Sequence, residues 1–213
     1  MKMFRRILRS FVVVLIVTVP VTGFGEDAPM QPDEMMRRTT SEVIELLKLK
    51  KPEYTADKNK LFAMVDEQLL PYFDFRKMSQ LVLGLNWRNA NEKQRTEFVE
   101  EFKQLLVRTY AVAMLNYTDQ VLVFLPYTGK PADKTVVVKA YLKQSSGSPN
   151  IPISARFYNG KNGWKVIDVT IEGVSMVTNY RNVYNQTIQN EGLDQLIKSI
   201  AASNRDATSS KKT

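Results

Sequence analysis

The chain has 213 residues, no cysteine, no histidine and a formal net charge of +8. The missing cysteine excludes a disulfide framework, and the missing histidine removes the commonest metal ligand and the usual general base. Any catalysis would have to run on carboxylate, Lys, Ser, Thr or Tyr chemistry.

The first stretch reads as a cleavable export signal. Lys2, Arg5, Arg6 and Arg9 form a positive n-region, Phe11 to Val19 an apolar h-region, and Pro20 breaks it. Gly23-Phe24-Gly25 then puts small residues at a cleavage site. The apolar run falls short of the roughly 20 residues a membrane-spanning helix needs. No cysteine follows it, so no lipid anchor is expected. The expected organisation is a signal peptide over 1–25, one domain over 26–200 and a flexible tail over 201–213. Cleavage removes four basic and no acidic residues, leaving a net charge of +4. Half of the basicity is therefore targeting, and nucleic acid is not an expected partner.

Glu26 to Asp33 is polar and proline-containing and reads as a mobile leader. Met35 to Leu49 has helical spacing, with Val43, Ile44, Leu46 and Leu47 on a broad apolar face. Lys48, Lys50 and Lys51 close it, and Pro52 blocks continuation. Asp57 is placed to cap a second helix carrying Leu61, Met64, Val65 and Leu69, which Pro71 ends. Asp74 caps a third, stopped at Gly84. Asn91-Glu92-Lys93-Gln94 is a capping-box pattern that opens the longest helix, to about Tyr117.

The period then changes to two. Strands are expected over Gln120–Leu125, Lys134–Lys143, Ile151–Tyr158 and Trp164–Glu172. Inward faces are Val136, Val138, Ala140 and Leu142; Ile151, Ile153, Ala155 and Phe157; and Ile167, Val169 and Ile171. Ser145 to Asn150 is a loop and Asn159 to Gly163 a turn. Ser175 caps a helix through Ile188, Gly192 breaks it, and Leu193 to Ile200 form the last helix. Helices, a four-stranded antiparallel meander and helices again make an α+β fold. A twisted sheet with helices on one face encloses a cone-shaped space, which the periodicity leaves open to side chains or to a ligand.

Motifs for chemistry are sparse. Asp168 and Glu172 share a strand face about 13 Å apart, too far for the paired carboxylates of glycoside hydrolysis. Pairing with Arg156 or neighbouring lysines is the simpler reading. Ser175 at a strand-to-helix turn resembles a nucleophile elbow, but the second glycine is missing and no histidine exists to activate it. Tyr72, Phe73, Phe75, Met78, Trp87, Phe102, Tyr110, Met114, Phe157, Met176 and Tyr180 supply either a flexible apolar pocket or an ordinary core.

Three blocks carry a family resemblance. They are Leu70-Pro71-Tyr72-Phe73-Asp74-Phe75 with Met78; Val82-Leu83-Gly84 with Trp87-Arg88, Gln94, Phe98, Phe102, Leu105 and Tyr110; and Trp164 through Asp168-Val169 to Glu172-Gly173-Val174-Ser175 with Tyr180-Arg181. In order and over nearly the whole mature chain, these resemble the MlaC, or toluene-tolerance (Ttg2), family of periplasmic phospholipid-binding proteins. The resemblance implies a non-enzymatic periplasmic carrier that shuttles phospholipid between outer and inner membranes. The implied sheet is nuclear-transport-factor-like, with a helical lobe and an apolar cavity. No cofactor is implied; the bound phospholipid is cargo. The implied partners are an outer-membrane lipoprotein–porin complex and an inner-membrane ABC transporter complex with a lipid-binding ring subunit, besides transient contact with the membrane surface.

The family offers no catalytic motif, so pocket residues are expected from the apolar faces. From the helices these are Leu81, Leu85, Trp87, Phe102, Leu106, Tyr110, Met176 and Val177. From the strands and their ends they are Val136, Val138, Ala140, Ile153, Ala155, Phe157, Ile167, Val169 and Val174. Arg88 and Arg181 are the basic candidates at the mouth for the head group. Two other readings stay open on the residues alone: a cone-shaped isomerase or hydrolase using Asp168 or Tyr110, and an adaptor with a filled core.

Overall fold

The computed structural model describes residues 30–130, 132–144 and 149–209. The expected signal peptide and the first half of the leader lie outside the described residues, as do residues 145–148 of the expected loop and the last four residues of the expected tail. Among the described residues, no helix is long and apolar enough to cross a membrane.

Helix α1 spans Pro32–Ala56, so it begins inside the expected leader and passes the expected stop at Pro52. Pro32 suits the first helical turn, where its missing N–H is no loss. Pro52 has a different effect in the interior. It cannot donate to the carbonyl four residues back, and Lys50 leaves helical geometry at φ −116°, ψ 16°. The proline breaks α1 into two segments instead of ending it. α2 (Lys58–Gln68) starts as read, with the Asp57 carboxylate accepting from the Asn59 N–H at 2.9 Å. A single 3-10 turn, Leu70–Tyr72, leads to α3 (Phe75–Leu83), capped by Asp74. Gly84 ends α3 at φ +57°. A short helix that the sequence reading missed, α4 (Leu85–Asn89), follows. α5 (Glu92–Met114) opens on the full reciprocal capping box of Asn91 and Gln94.

The sheet contains β1 (Val121–Phe124), β2 (Thr135–Lys143), β3 (Ile151–Gly160), β4 (Gly163–Ile171) and β5 (Val174–Ser175), antiparallel in sequence order. This corrects the expected four strands to five. Glu172 and Gly173 both take positive φ, 51° and 82°, as a two-residue hairpin turn demands. The resulting β5 is too short to have a period of its own. α6 (Met176–Glu191) follows directly, capped by the Ser175 hydroxyl. α7 runs Leu193–Ser209, nine residues past the point where a tail was expected. Ala201 and Ala202 favour helix, and Asn204 anchors this segment by donating to the Glu101 carbonyl and carboxylate.

Three apolar clusters hold these elements. α3, α5, α6 and α7 close around Met78, Val82, Phe98, Phe102, Tyr184 and Ile197. Phe98 and Phe102 stack at 5.5 Å, with Tyr180 and Tyr184 edge-on to them. Burial, then the Tyr110 phenol, pushes Tyr180 up to about 12, and burial raises Tyr184 as well. α1, α2 and α5 meet around Val43, Leu47, Leu61, Met64 and Ala111. The sheet keeps its own cluster of Val136, Val138, Ala155, Phe157, Trp164 and Val166.

Candidate functional site: an apolar cavity between three clusters

The three clusters do not merge. Between them lies a cavity of about 590 Å³, lined by residues of all three. That volume sits within the usual range of ligand pockets, about 300–1,000 Å³. α1 supplies one wall: Met35, Met36, Thr39, Val43, Ile44 and Leu47 recur at helical spacing, and all face the cavity. Opposite stands the inner face of the sheet, with Leu122, Leu142, Ile151, Ile153, Ala155, Phe157, Val169 and Ile171. α5 adds Leu106, Val107, Tyr110, Ala111 and Met114. The segment around α3 adds Leu69, Leu70, Tyr72, Phe73, Phe75 and Met78, and α6 adds Met176.

Of the residues expected to line a pocket, Leu106, Tyr110, Ile153, Ala155, Phe157, Val169 and Met176 are brought together here. The others are not, for identifiable reasons. Leu81, Trp87, Phe102 and Val177 belong to the packed helical core. Val136 and Val138 are enclosed within the sheet cluster, and Ala140 is buried without facing the cavity. Leu85 and Val174 are exposed. Ile167 is displaced by a β-bulge. Arg156 pairs with Asp168 and Phe157 with Val166, so Ile167 has no partner of its own. The bulge shifts the alternation by one residue, giving Val166 to the cavity and Ile167 to the helical core.

The two arginines are also relocated. Arg88 is exposed at the end of α4, away from the cavity lining. Arg181 is spent on structure: its guanidinium donates to the Leu81 carbonyl, Nε at 2.7 Å, tying α6 to the last turn of α3. The polar lining lies elsewhere, at Asn116, Tyr117 and Gln120 beyond α5. Sequence reasoning missed this group and the whole α1 wall.

Asp168 is buried at 2 % exposure, but it is not among the residues lining the cavity. Its carboxylate accepts from Arg156 Nη2 at 2.6 Å, the Ser175 hydroxyl at 2.7 Å and the Val177 N–H at 3.1 Å. These bonds occupy it as a clasp between β3, β4 and the start of α6. Ser175 is a helix cap that donates to this carboxylate, not a nucleophile. Among the described residues, no group of three or more carboxylates could hold a metal ion.

One hydroxyl in the α1 wall is anomalous. Thr40 bonds back to the Met36 carbonyl at 2.6 Å, whereas the Thr39 Oγ1, enclosed beside the cavity, has no hydrogen-bond partner among the described residues. An enclosed orphan hydroxyl costs about 1–3 kcal/mol. Thr39→Val, nearly isosteric, is expected to raise stability by about 1 kcal/mol in urea unfolding with the cavity intact. A loss of stability would mean that the hydroxyl has a partner in solution.

Comparison with known proteins agrees with this geometry. The MlaC protein family model matches residues 37–202, most of the chain. The chain belongs to the MlaC family. Two MlaC-family relatives are each 25% identical to it. One is the intermembrane phospholipid transport system binding protein MlaC of Haemophilus influenzae, over 178 residues, covering 83% of each chain. The other is the toluene tolerance protein ttg2D of Pseudomonas putida, over 190 residues, covering 88% of this chain and 86% of the relative. A crystal structure of the phospholipid-binding protein of Ralstonia solanacearum, in complex with a phospholipid, superimposes with a TM-score of 0.77. It is 25% identical, and the match covers 84% of this chain and 99% of that one.

Proposed function

We propose that this MlaC-family protein is a periplasmic phospholipid-binding carrier, with the acyl tails held in the cavity between α1 and the sheet. The observation that carries the reading is the cavity itself, of ligand size and walled almost wholly by apolar side chains. An acyl chain of about 15 methylenes costs about 12 kcal/mol to expose to water, at about 0.8 kcal/mol per methylene. A carrier therefore has to enclose the tails. Membrane and cavity are both apolar, so exchange between them is close to neutral and the protein can load and unload.

Cavity-lining Leu106, Tyr110, Ile153, Ala155, Phe157, Val169 and Met176 are the tail contacts of this reading, joined by the α1 stripe. Of the two residues the enzyme alternative would use, Asp168 is engaged outside the cavity, and the cavity-lining Tyr110 phenol interacts with that of Tyr180. The adaptor alternative needs a filled core.

The cell biology follows from the same reading. The protein is exported by the N-terminal signal and works between the two membranes. It exchanges cargo with an outer-membrane lipoprotein–porin complex on one side. On the other it meets an inner-membrane ABC transporter complex carrying a lipid-binding ring. Direction has to come from those partners, since nothing in the cavity couples binding to an energy source.

A vesicle experiment tests the carrier step. Mature protein is mixed with donor vesicles holding a pyrene-labelled phospholipid and unlabelled acceptor vesicles. Transfer is expected to rise in proportion to protein concentration. Transfer no faster than without protein would contradict the reading.

A further inference from the structure

The cavity is graded along the sheet. At one end Ala155, Phe157 and Val166 are buried. At the other, Leu122, Leu142, Ile151, Ile153 and Ile171 are only half-buried, and register places them together: Leu122 opposite Leu142, Leu142 opposite Ile151, Ile153 opposite Ile171. The buried end is the floor and the half-buried end the mouth. Gln120 and Val121 enter β1 at this mouth, with Asn116 and Tyr117 just before them.

Lysines converge on the same place. Lys51, just past the break in α1, donates from Nζ to the Tyr117 carbonyl at 2.6 Å. Lys48 holds its ammonium 5.9 Å from the centre of the Tyr117 ring. Lys143, opposite Val121 at the end of β2, lies on the outer face of the sheet, away from Leu122 and Leu142. None of the three forms an ion pair among the described residues. The acidic groups at this end are Asp119 and Glu172, both exposed, and the Asp119 carboxylate accepts from the Thr118 hydroxyl.

We infer that this mouth is a head-group site selective for a net anionic phospholipid, with Lys48 and Lys51 facing the phosphate and Asn116 and Gln120 offering amide donors. The inference rests on the carrier reading and extends it to the class of lipid. All phospholipids bring a phosphate that the two ammonium groups attract. A phosphatidylethanolamine also brings its own ammonium, which the same lysines repel. Phosphatidylglycerol brings neutral hydroxyls instead. The discrimination is electrostatic and partly solvent-exposed, so it weakens as salt rises.

The test loads the mature protein from vesicles of equal phosphatidylglycerol and phosphatidylethanolamine, then extracts and counts the lipid it carries. Wild type is expected to be enriched in phosphatidylglycerol by roughly fivefold, the scale of one basic residue beside an anionic lipid. Lys48→Glu is expected to bring the ratio back toward that of the vesicles, while total loading falls by a smaller factor because the tails carry most of the binding. Lys48 is exposed, so folding should be unaffected; circular dichroism checks this, and raising salt on wild type gives a mutation-free reading of the same effect. Wild-type lipid at the vesicle ratio, or an enrichment that survives charge reversal and salt, overturns the head-group site while leaving the carrier intact. No lipid at all on wild type overturns both.

Discussion

Ile153→Trp is expected to cut phospholipid loading by more than about tenfold while the protein stays folded. Ile153 sits midway along the cavity wall, half-buried because it faces open space, opposite Ala140 on β2 and Ile171 on β4. An indole there has room to enter the volume the tails need, and it displaces no packed neighbour. Loss of even a few methylenes of tail contact at about 0.8 kcal/mol each gives a tenfold effect or more. Val138→Trp, on the adjacent strand and two residues along from Ile153's partner Ala140, is the contrast. Val138 is 1% exposed within the sheet cluster. Extra volume there meets packed side chains and is expected to cost about 1–3 kcal/mol of stability or more. Lipid counts on the two purified variants, with urea melts, separate the outcomes. Full loading of a folded Ile153→Trp protein would remove that position from the tail path.

Asp168→Ala carries the largest expected effect on stability, about 3 kcal/mol. The substitution orphans the Val177 N–H at the first turn of α6 and leaves the Ser175 hydroxyl only its bonds to Thr178. It also releases Arg156, whose side chain is 41% exposed and is the least costly of the three to free. Asp168→Asn keeps an acceptor and is expected to lose less. Either variant, once folded, should load lipid like wild type, because the carboxylate does not face the cavity. An Asp168→Asn protein that is as stable as wild type but fails in lipid handling would give this residue a functional role that the clasp does not explain.

The parts of the fold governed by local chemistry were readable in the sequence. Asp57, Asp74, Asn91 with Gln94, and Ser175 all cap the helices they were assigned to, and Gly84 and Gly192 end theirs at positive φ. Strand alternation in β3 put Ile151, Ile153, Ala155 and Phe157 on the face that lines the cavity. What failed needed tertiary information. The bulge at Ile167 leaves no mark in an alternating pattern, yet it exchanges the faces of everything before it in β4. β5 is two residues long and exists only through its pairing with β4.

The site was less legible than the fold, for one physical reason. An apolar stripe announces that a face avoids water, and says nothing about what covers it. Phe98 and Phe102 on α5 and Met36 and Val43 on α1 obey the same spacing. The first pair packs against Tyr180 and Tyr184, while the second faces the cavity. Charge misled in a similar way. Arg181 is basic and follows a conspicuous block, but it serves the end of α3, whereas the lysines beside the mouth looked like ordinary helix-terminating residues.

Native mass spectrometry of the mature protein, purified from the periplasm of a Gram-negative host, tests the central claim most directly. The account predicts a protein mass increased by that of a bound phospholipid in stoichiometric amount, with the lipid identified after organic extraction. A clean apo mass, unchanged after incubation with vesicles, would contradict it.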